Sequence, residues 1–219
     1  MSIKTTDSLS AVLWDLDGTL VDTEPLWMNA EHELAESHGK SWTEEDGLKL
    51  VGSDLIEAGA YIARRLEIDM TAEEIVDYLV ARVTQRLESE PIAWRPGARE
   101  LIESLHAEGV PQALVTMSYA NIAVPIAEQL PFAAVVTGDS VTHGKPHPEP
   151  YLKAAELLGV SAVDCVAIED SGTGASSANA AGCHVLVVPN MVNVPDAPRR
   201  TEKTTLVGVK PADLRALIS

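Results

Sequence analysis

Acidic residues fall in close pairs in this chain. Asp15 and Asp17 are separated by one leucine and followed by Gly18-Thr19, and Glu169-Asp170 form a second pair far downstream. Between the pairs lie two hydroxyls, Thr116 and Ser118, and Lys145, set between Gly144 and Pro146. Carboxylates gathered at one point repel each other unless a cation sits among them. Hard oxygen ligands suit magnesium, which keeps several waters and also binds phosphate oxygens. Lys145 would neutralise part of a further anion, and Thr116 could donate a hydrogen bond to a phosphoryl oxygen. Gly18 permits a sharp turn that aims the amides of residues 15–19 at an anion. Such a set fits phosphoryl transfer, where positioning and charge neutralisation dominate.

These side chains meet only if the fold delivers them to one place. Residues 10–16 read as a short buried strand. Further strands are expected at 112–116, 133–137, 165–168 and 184–188, each after a helical stretch (97–108, 120–130, 149–158 and 174–181). A last short strand is expected near 204–207, with a closing helix at 211–218. This alternation predicts an α/β fold with a doubly wound parallel sheet. Ligands of open parallel sheets bind beyond the carboxyl ends of the strands. Asp15 and Asp17 follow the first strand, Thr116 and Ser118 the second, Lys145 the third, and Glu169-Asp170 the fourth. Four separate strands therefore send chemistry to one edge.

Residues 24–90 are a helical block inserted between the first two strands. A helix runs from Glu24 to His38, with Pro25 in its first turn and Gly39 closing it. A second begins near Thr43 and ends before Gly52, and a third, capped by Ser53, reaches about Leu66. Thr71 and Glu74 form a capping box, and Ile75, Val76, Leu79, Val80, Val83 and Leu87 follow at helical spacing. The acidic faces of this block read as solvated surface, Trp27 and Trp42 as core, and Gly52 and Ser53 as turn residues that could face a substrate. The stretch 192–203, broken by Pro195, Asp196 and Pro198, reads as a surface loop.

The bulk composition narrows the classes. With 46% hydrophobic and 22% charged residues, the chain is an ordinary globular protein; at 4% aromatics, its core is built from Ala, Val, Leu and Ile. The net charge of -17 repels nucleic acid and anionic lipid, so neither is an expected partner. It repels anionic substrates as well, so attraction must come from local features. No apolar run approaches the roughly 18 residues of a membrane span. Residues 1–8 lack a signal-peptide pattern, and a cytoplasmic location is expected. Cys165 and Cys183 sit in apolar surroundings and read as buried thiols; neither they nor the six histidines show metal-ligand spacing.

The same segments carry a family resemblance. Asp15-Leu16-Asp17-Gly18-Thr19, Thr116, Gly144-Lys145-Pro146-His147-Pro148-Glu149-Pro150-Tyr151, and Glu169-Asp170-Ser171 with Gly174 resemble the four motifs of the haloacid dehalogenase superfamily. The match keeps order and spacing over nearly the whole chain. The helical insertion is similar to the cap of the β-phosphoglucomutase and phosphoglycolate-phosphatase-like branch. The resemblance implies an α/β core of residues 1–21 and 92–219 and an all-helical cap of residues 22–91, hinged near 21–24 and 90–94. It implies that Asp15 is the nucleophile of an aspartyl-phosphate pathway and that Asp17 is the proton donor and acceptor. Thr116 and Lys145, with Gly18 and Ser118 beside them, would hold the phosphoryl group. Asp15, the Asp17 backbone carbonyl, Glu169 and Asp170 would hold Mg2+. The implied function is hydrolysis of a small phosphomonoester, a sugar or polyol phosphate, by a monomer. The alternative is a β-phosphoglucomutase-like phosphomutase, but the cap turn Leu50-Val51-Gly52-Ser53-Asp54 lacks the basic residues needed to grip a second phosphate. Asp17 and the Glu169-Asp170 pair argue against a metal-free dehalogenase. One departure is Met117, at a position commonly small or polar in relatives, which is expected to pack against the cap.

Overall fold

Six short strands make one parallel sheet, described here from a computed structural model covering residues 9–218; residues 1–8, and the leader pattern sought there, lie outside the described residues. The strands are β1 (Ala11–Trp14), β2 (Gln112–Val115), β3 (Ala134–Val136), β4 (Cys165–Glu169), β5 (His184–Val187) and β6 (Arg200–Glu202), in the order β3-β2-β1-β4-β5-β6. Every neighbouring pair is parallel. β1 is therefore central, between β2 and β4, and the catalytic candidates of three strands lie side by side.

β1, β2 and β4 are apolar at almost every position because both faces are covered. One face, with Val12, Trp14, Leu114 and Ile168, packs on α5 (Ala98–Ala107), α6 (Ala120–Ala127) and α9 (Pro211–Ile218). The other, with Leu13, Val115, Ala167 and Val185, packs on α7 (Glu149–Leu158) and α8 (Gly172–Ala181). Trp14 can be fully buried in a strand because its indole N–H donates to Gln112 Oε1 at 2.9 Å, and Gln112 in turn donates to the Ile102 carbonyl.

Between β1 and β2 stand α1 (Glu24–Ser37), α2 (Glu44–Leu48), α3 (Leu55–Leu66) and α4 (Ala72–Ser89), with a hydrophobic cluster of their own that includes Trp42, Ile62, Ile75 and Leu79. Thr71 and Glu74 form the expected capping box. Where the chain enters and leaves this block, the Asp22 amide donates to the Ala93 carbonyl at 2.8 Å and the Arg95 amide to the Leu20 carbonyl at 2.9 Å. No helix among the described residues is long and apolar enough to cross a membrane.

Several expectations need correction. The sixth strand is not at 204–207 but at Arg200–Glu202, inside the stretch read as a loop. It is an exposed edge strand of three polar residues, so it carries no apolar signal, whereas Leu206 is buried beyond it. The α3 cap is Asp54, whose carboxylate accepts the Ile56 and Glu57 amides, rather than Ser53. The acidic faces of the block are not all solvated: Glu24, Glu31 and Asp46 are buried. Asp46 meets Arg65 through two hydrogen bonds of 2.8 Å, which with Thr43 hold its carboxyl down at about 2.

Candidate active site

The strand ladders run on one residue past β1 and β2: the Asp15 amide donates to the Ile168 carbonyl and the Thr116 amide to the Val136 carbonyl. Asp15 and Thr116 are thereby fixed at the carboxyl edge of the sheet. After Asp15 the chain folds back at once, with the Leu20 and Val21 amides on the Leu16 carbonyl and the Gly18 amide on the Val21 carbonyl. Gly18 has φ +82°, and a Cβ there would stand 2.2 Å from Asp170 Oδ2. Only glycine satisfies both conditions. Its amide is already engaged by Val21, so Gly18 serves as the turn rather than as a donor toward an anion.

At the centre is Lys145. Its Nζ donates to Asp15 Oδ1 at 2.7 Å, to Glu169 Oε1 at 2.7 Å and to the Val115 carbonyl at 3.0 Å. Burial would lower its pKa, but Asp15 and Glu169 outweigh that and raise it, favouring the charged ammonium. Glu169 is fully buried and also receives the Tyr151 hydroxyl and, at 3.3 Å, the Ser171 hydroxyl. A Cβ at Gly174 would lie 2.0 Å from the Glu169 carboxylate, so α8 begins with small residues for the sake of this group. Asp15, Glu169 and Asp170 bring one carboxylate oxygen each within 4.8 Å of one another. Burial and the Glu169 charge push Asp15 up to about 7 in spite of Lys145. Asp170 is raised well above the usual carboxylate range by burial and by Asp15 and Glu169. Its Oδ2 is buried without a hydrogen-bond partner among the described residues, and so is the nearby Asn190 Nδ2.

Asp17 points the other way. Its Oδ1 accepts Thr23 Oγ1 at 2.6 Å and Trp27 Nε1 at 3.2 Å; its Oδ2 accepts Thr116 Oγ1 at 3.0 Å and Ser118 Oγ at 2.7 Å. The Asp17 carboxylate thus stays outside the Asp15–Glu169–Asp170 cluster, leaving its backbone carbonyl as the atom the resemblance offers to a metal. Both hydroxyls expected to hold a phosphoryl group are engaged by Asp17. Trp27 packs against the hydrophobic cluster of the helical block, as expected, and its indole N–H also donates to Asp17; Trp42 is core, as expected, with its indole N–H on Glu31.

The Lys145 loop is built from its flanks. Glu149 accepts the Thr142 and His143 amides and pairs with His143 Nδ1, and Ser177 donates to the His147 carbonyl. The two histidines thus shape the loop. Met117 Sδ accepts the Lys145 amide at 3.2 Å, and a Cβ at Gly144 would sit 2.8 Å from that sulfur and 3.2 Å from Asp54. Met117 packs where the sheet edge meets the start of α3.

Above Asp15 and Asp17 opens a cleft. Its roof comes from the helical block: Glu24, Met28 and Glu31 of α1, and Leu50, Gly52 and Leu55 around the start of α3. Gly52 and Ser53 do face this space. Glu24 and Glu31 escaped the sequence reading, although they share a helical stripe with Trp27 and Leu34, which marks the buried side of α1.

A family model described as haloacid dehalogenase-like hydrolase matches residues 9–182. The chain belongs to the haloacid dehalogenase-like hydrolases. Hexitol phosphatase A of Escherichia coli K12 is 37% identical over 199 residues, which cover 87% of this chain and 86% of that protein. The bifunctional riboflavin kinase/FMN phosphatase of Arabidopsis thaliana is 34% identical over 187 residues, 83% of this chain; the chain spans about half, 49%, of that protein's length. Among solved structures, CbbY from Rhodobacter sphaeroides in complex with phosphate is similar with a TM-score of 0.83 and 25% identity, over 94% of this chain and 99% of that one. These likenesses agree with the sheet order and with the inserted helices.

Proposed function

We propose that this hydrolase is a magnesium-dependent phosphatase that cleaves a small sugar or polyol phosphate through an aspartyl-phosphate on Asp15. The observation that carries this reading is the Lys145 ammonium, buried against Asp15 Oδ1 at the floor of the cleft. It fixes the carboxylate in place and supplies the positive charge without which an anion would not approach an anion. The Asp15 oxygen attacks phosphorus, and the bond from phosphorus to the alcohol oxygen breaks. Asp17, in its protonated form, gives that oxygen its proton; as carboxylate it then takes a proton from the water that attacks phosphorus and releases Asp15. Thr23 and Trp27 hold Asp17 Oδ1 throughout. Thr116 and Ser118 can meet a phosphoryl oxygen once they let go of Asp17 Oδ2, so substrate entry and the freeing of Asp17 are one exchange of partners.

The donor set fits a hard divalent cation. Three buried carboxylates converge with only Lys145 to balance them, and Asp170 Oδ2 is left without a partner among the described residues. Asp15 and Asp170 would hold the ion, with the Asp17 carbonyl. Glu169, already engaged by Lys145 and Tyr151, would add charge beside it. Bound there, magnesium would offset the carboxylates and draw charge from the phosphoryl oxygens.

Residues 22–91 act as a cap on a core of residues 1–21 and 92–219, hinged where the paired crossings at Leu20–Asp22 and Ala93–Arg95 join them. Hexitol phosphatase A, more than a third identical, supports the polyol reading. A phosphomutase needs a cation at the far end of the cleft. Among the described residues that line it, Lys145 is the single cation, and it is bound to Asp15. Phosphate release from a panel of sugar, polyol, glycolate and nucleotide monophosphates, with Mg2+ and then with chelator, tests the proposal. Sugar or polyol phosphates are expected to lead. Asp15→Asn is expected to lower turnover at least about a thousand-fold, as removal of a covalent nucleophile does. Turnover that survives in Asp15→Asn would overturn it.

A further inference from the structure

The roof of the cleft holds two carboxyls that the chemistry at phosphorus does not use. Glu24 and Glu31 lie seven positions apart on α1, about 10 Å along the helix, and both face the cleft while only 7% and 6% exposed. Neither forms a salt bridge among the described residues. No hydrogen-bond donor meets Glu24 among the described residues. Glu31 has one, the Trp42 indole N–H at 2.9 Å on Oε2. Buried carboxyls are ordinarily paired or hydrogen-bonded, and leaving them short of partners carries a cost. Two on one face of one helix, both turned into a cavity, mark a surface kept for a ligand that brings its own donors.

We infer that Glu24 and Glu31 select the leaving group: they receive the hydroxyls of an uncharged polyhydroxy alcohol and reject leaving groups that carry a second anion. This rests on the phosphatase reading above. Glu24, the first residue of α1, lines the same cleft as Asp15 and Asp17, so it meets the hydroxyls next to the scissile bond. Glu31 lies two turns further along α1, where a Cβ on Gly47 would come within 3.0 Å of its Oε2, and meets the far end of an extended chain. Met28, Leu50 and Leu55 give the carbon backbone an apolar wall. A hydroxyl fits a carboxyl in either protonation state, because it both donates and accepts. A carboxylate or second phosphate has no proton to offer and finds no free cation here, since Lys145 is held by Asp15 and Glu169.

The test compares two phosphates of equal chain length with saturating Mg2+. One is a hexitol monophosphate; the other is the aldonic acid phosphate that bears a carboxylate in place of the far hydroxymethyl group. The wild type should favour the hexitol phosphate by at least about ten-fold in kcat/KM, the scale of one charge-assisted hydrogen bond exchanged for a repulsion. Glu31→Gln, which keeps an acceptor for Trp42, should shrink that ratio about ten-fold, chiefly through KM. Glu24→Gln should shrink it less, since it lies nearer the phosphorus, and it serves if Glu31→Gln fails to fold. Para-nitrophenyl phosphate, whose leaving group has neither feature, tests the wild-type phosphatase reading by itself. If that ester is hydrolysed while the wild type treats the matched pair alike, or while both variants keep the wild-type ratio, the inference falls and the phosphatase stands. If no ester is hydrolysed, both fall.

Discussion

Lys145 organises the site at the scale of single residues, because one ammonium is shared by Asp15, Glu169 and a strand carbonyl. Sequence position alone announced that lysine, as it announced Asp15, Thr116 and Asp170, since strand ends in a parallel sheet are where function collects. The buried carboxyls of α1 were not announced. A glutamate on a helix reads as solvated unless the burial of its face is known, and that depends on what packs there. Their burial has a measurable consequence in pH. Glu24 is raised from 4.5 to about 8. Between those values the folded chain holds a proton that the unfolded chain has released, so stability is full below about 4.5 and declines as pH climbs toward 8. Asp15 and Glu31, both raised to about 7, add to the same decline. Glu24→Gln removes one contribution. In metal-free buffer the Tm of this variant should exceed that of the wild type by more at about pH 8 than at about pH 5. A gap that stays constant with pH would mean that Glu24 is not titrating in this range.

At the scale of elements, the start of α8 shows how closely the scaffold is fitted to the chemistry. Ser171 caps the helix by accepting the Gly174 amide and also donates to Glu169, so the cap and the site share one hydroxyl. Gly174 leaves no room for a methyl group, with the Glu169 carboxylate 2.0 Å from where it would stand. Gly174→Ala should therefore move Glu169, and Lys145 with it. A loss of about 1–3 kcal/mol in urea denaturation is expected, although alanine alone would favour the helix by up to about 1 kcal/mol. A variant as stable and active as wild type would refute the fit. The glycine stood out in the sequence beside Glu169-Asp170, but its reason did not, because the clash is with a side chain five residues back. The same contrast explains β6. Central strands announce themselves by being apolar on both faces, whereas Arg200–Glu202 is an edge whose side chains reach solvent, and only pairing with β5 makes it a strand. The four helices of the inserted block were legible from periodicity and, for α4, from its capping box, while the α3 cap lay one residue beyond the expected one. Their relation to the sheet was not, since nothing local records which residues line a space between two hydrophobic clusters.

For the molecule as a whole, a net charge of -17 works against binding any phosphate, and the site adds carboxylates at the spot where the phosphate must arrive. The arrangement is workable if a divalent cation completes it, and that makes stability and function compete for the same residues. Without a cation, Asp170 is a buried acid beside Asp15 and Glu169 with one oxygen unpartnered among the described residues. Asp170→Asn keeps the shape and removes the repulsion, so the metal-free variant should melt a few degrees above wild type, roughly 2–8 °C for a gain of about 1–2 kcal/mol in a chain of this size. Mg2+ should reverse the ranking. At one hundred times its dissociation constant, a ligand specific for the folded state adds about 2.7 kcal/mol, or roughly 5–10 °C in Tm. The wild type should gain that, while Asp170→Asn should gain little and should lose phosphate release. Scanning calorimetry of both proteins, with chelator and with Mg2+, reads all four values. A wild-type Tm indifferent to Mg2+, with phosphate release surviving chelation, would show that the carboxylates are balanced by Lys145 alone.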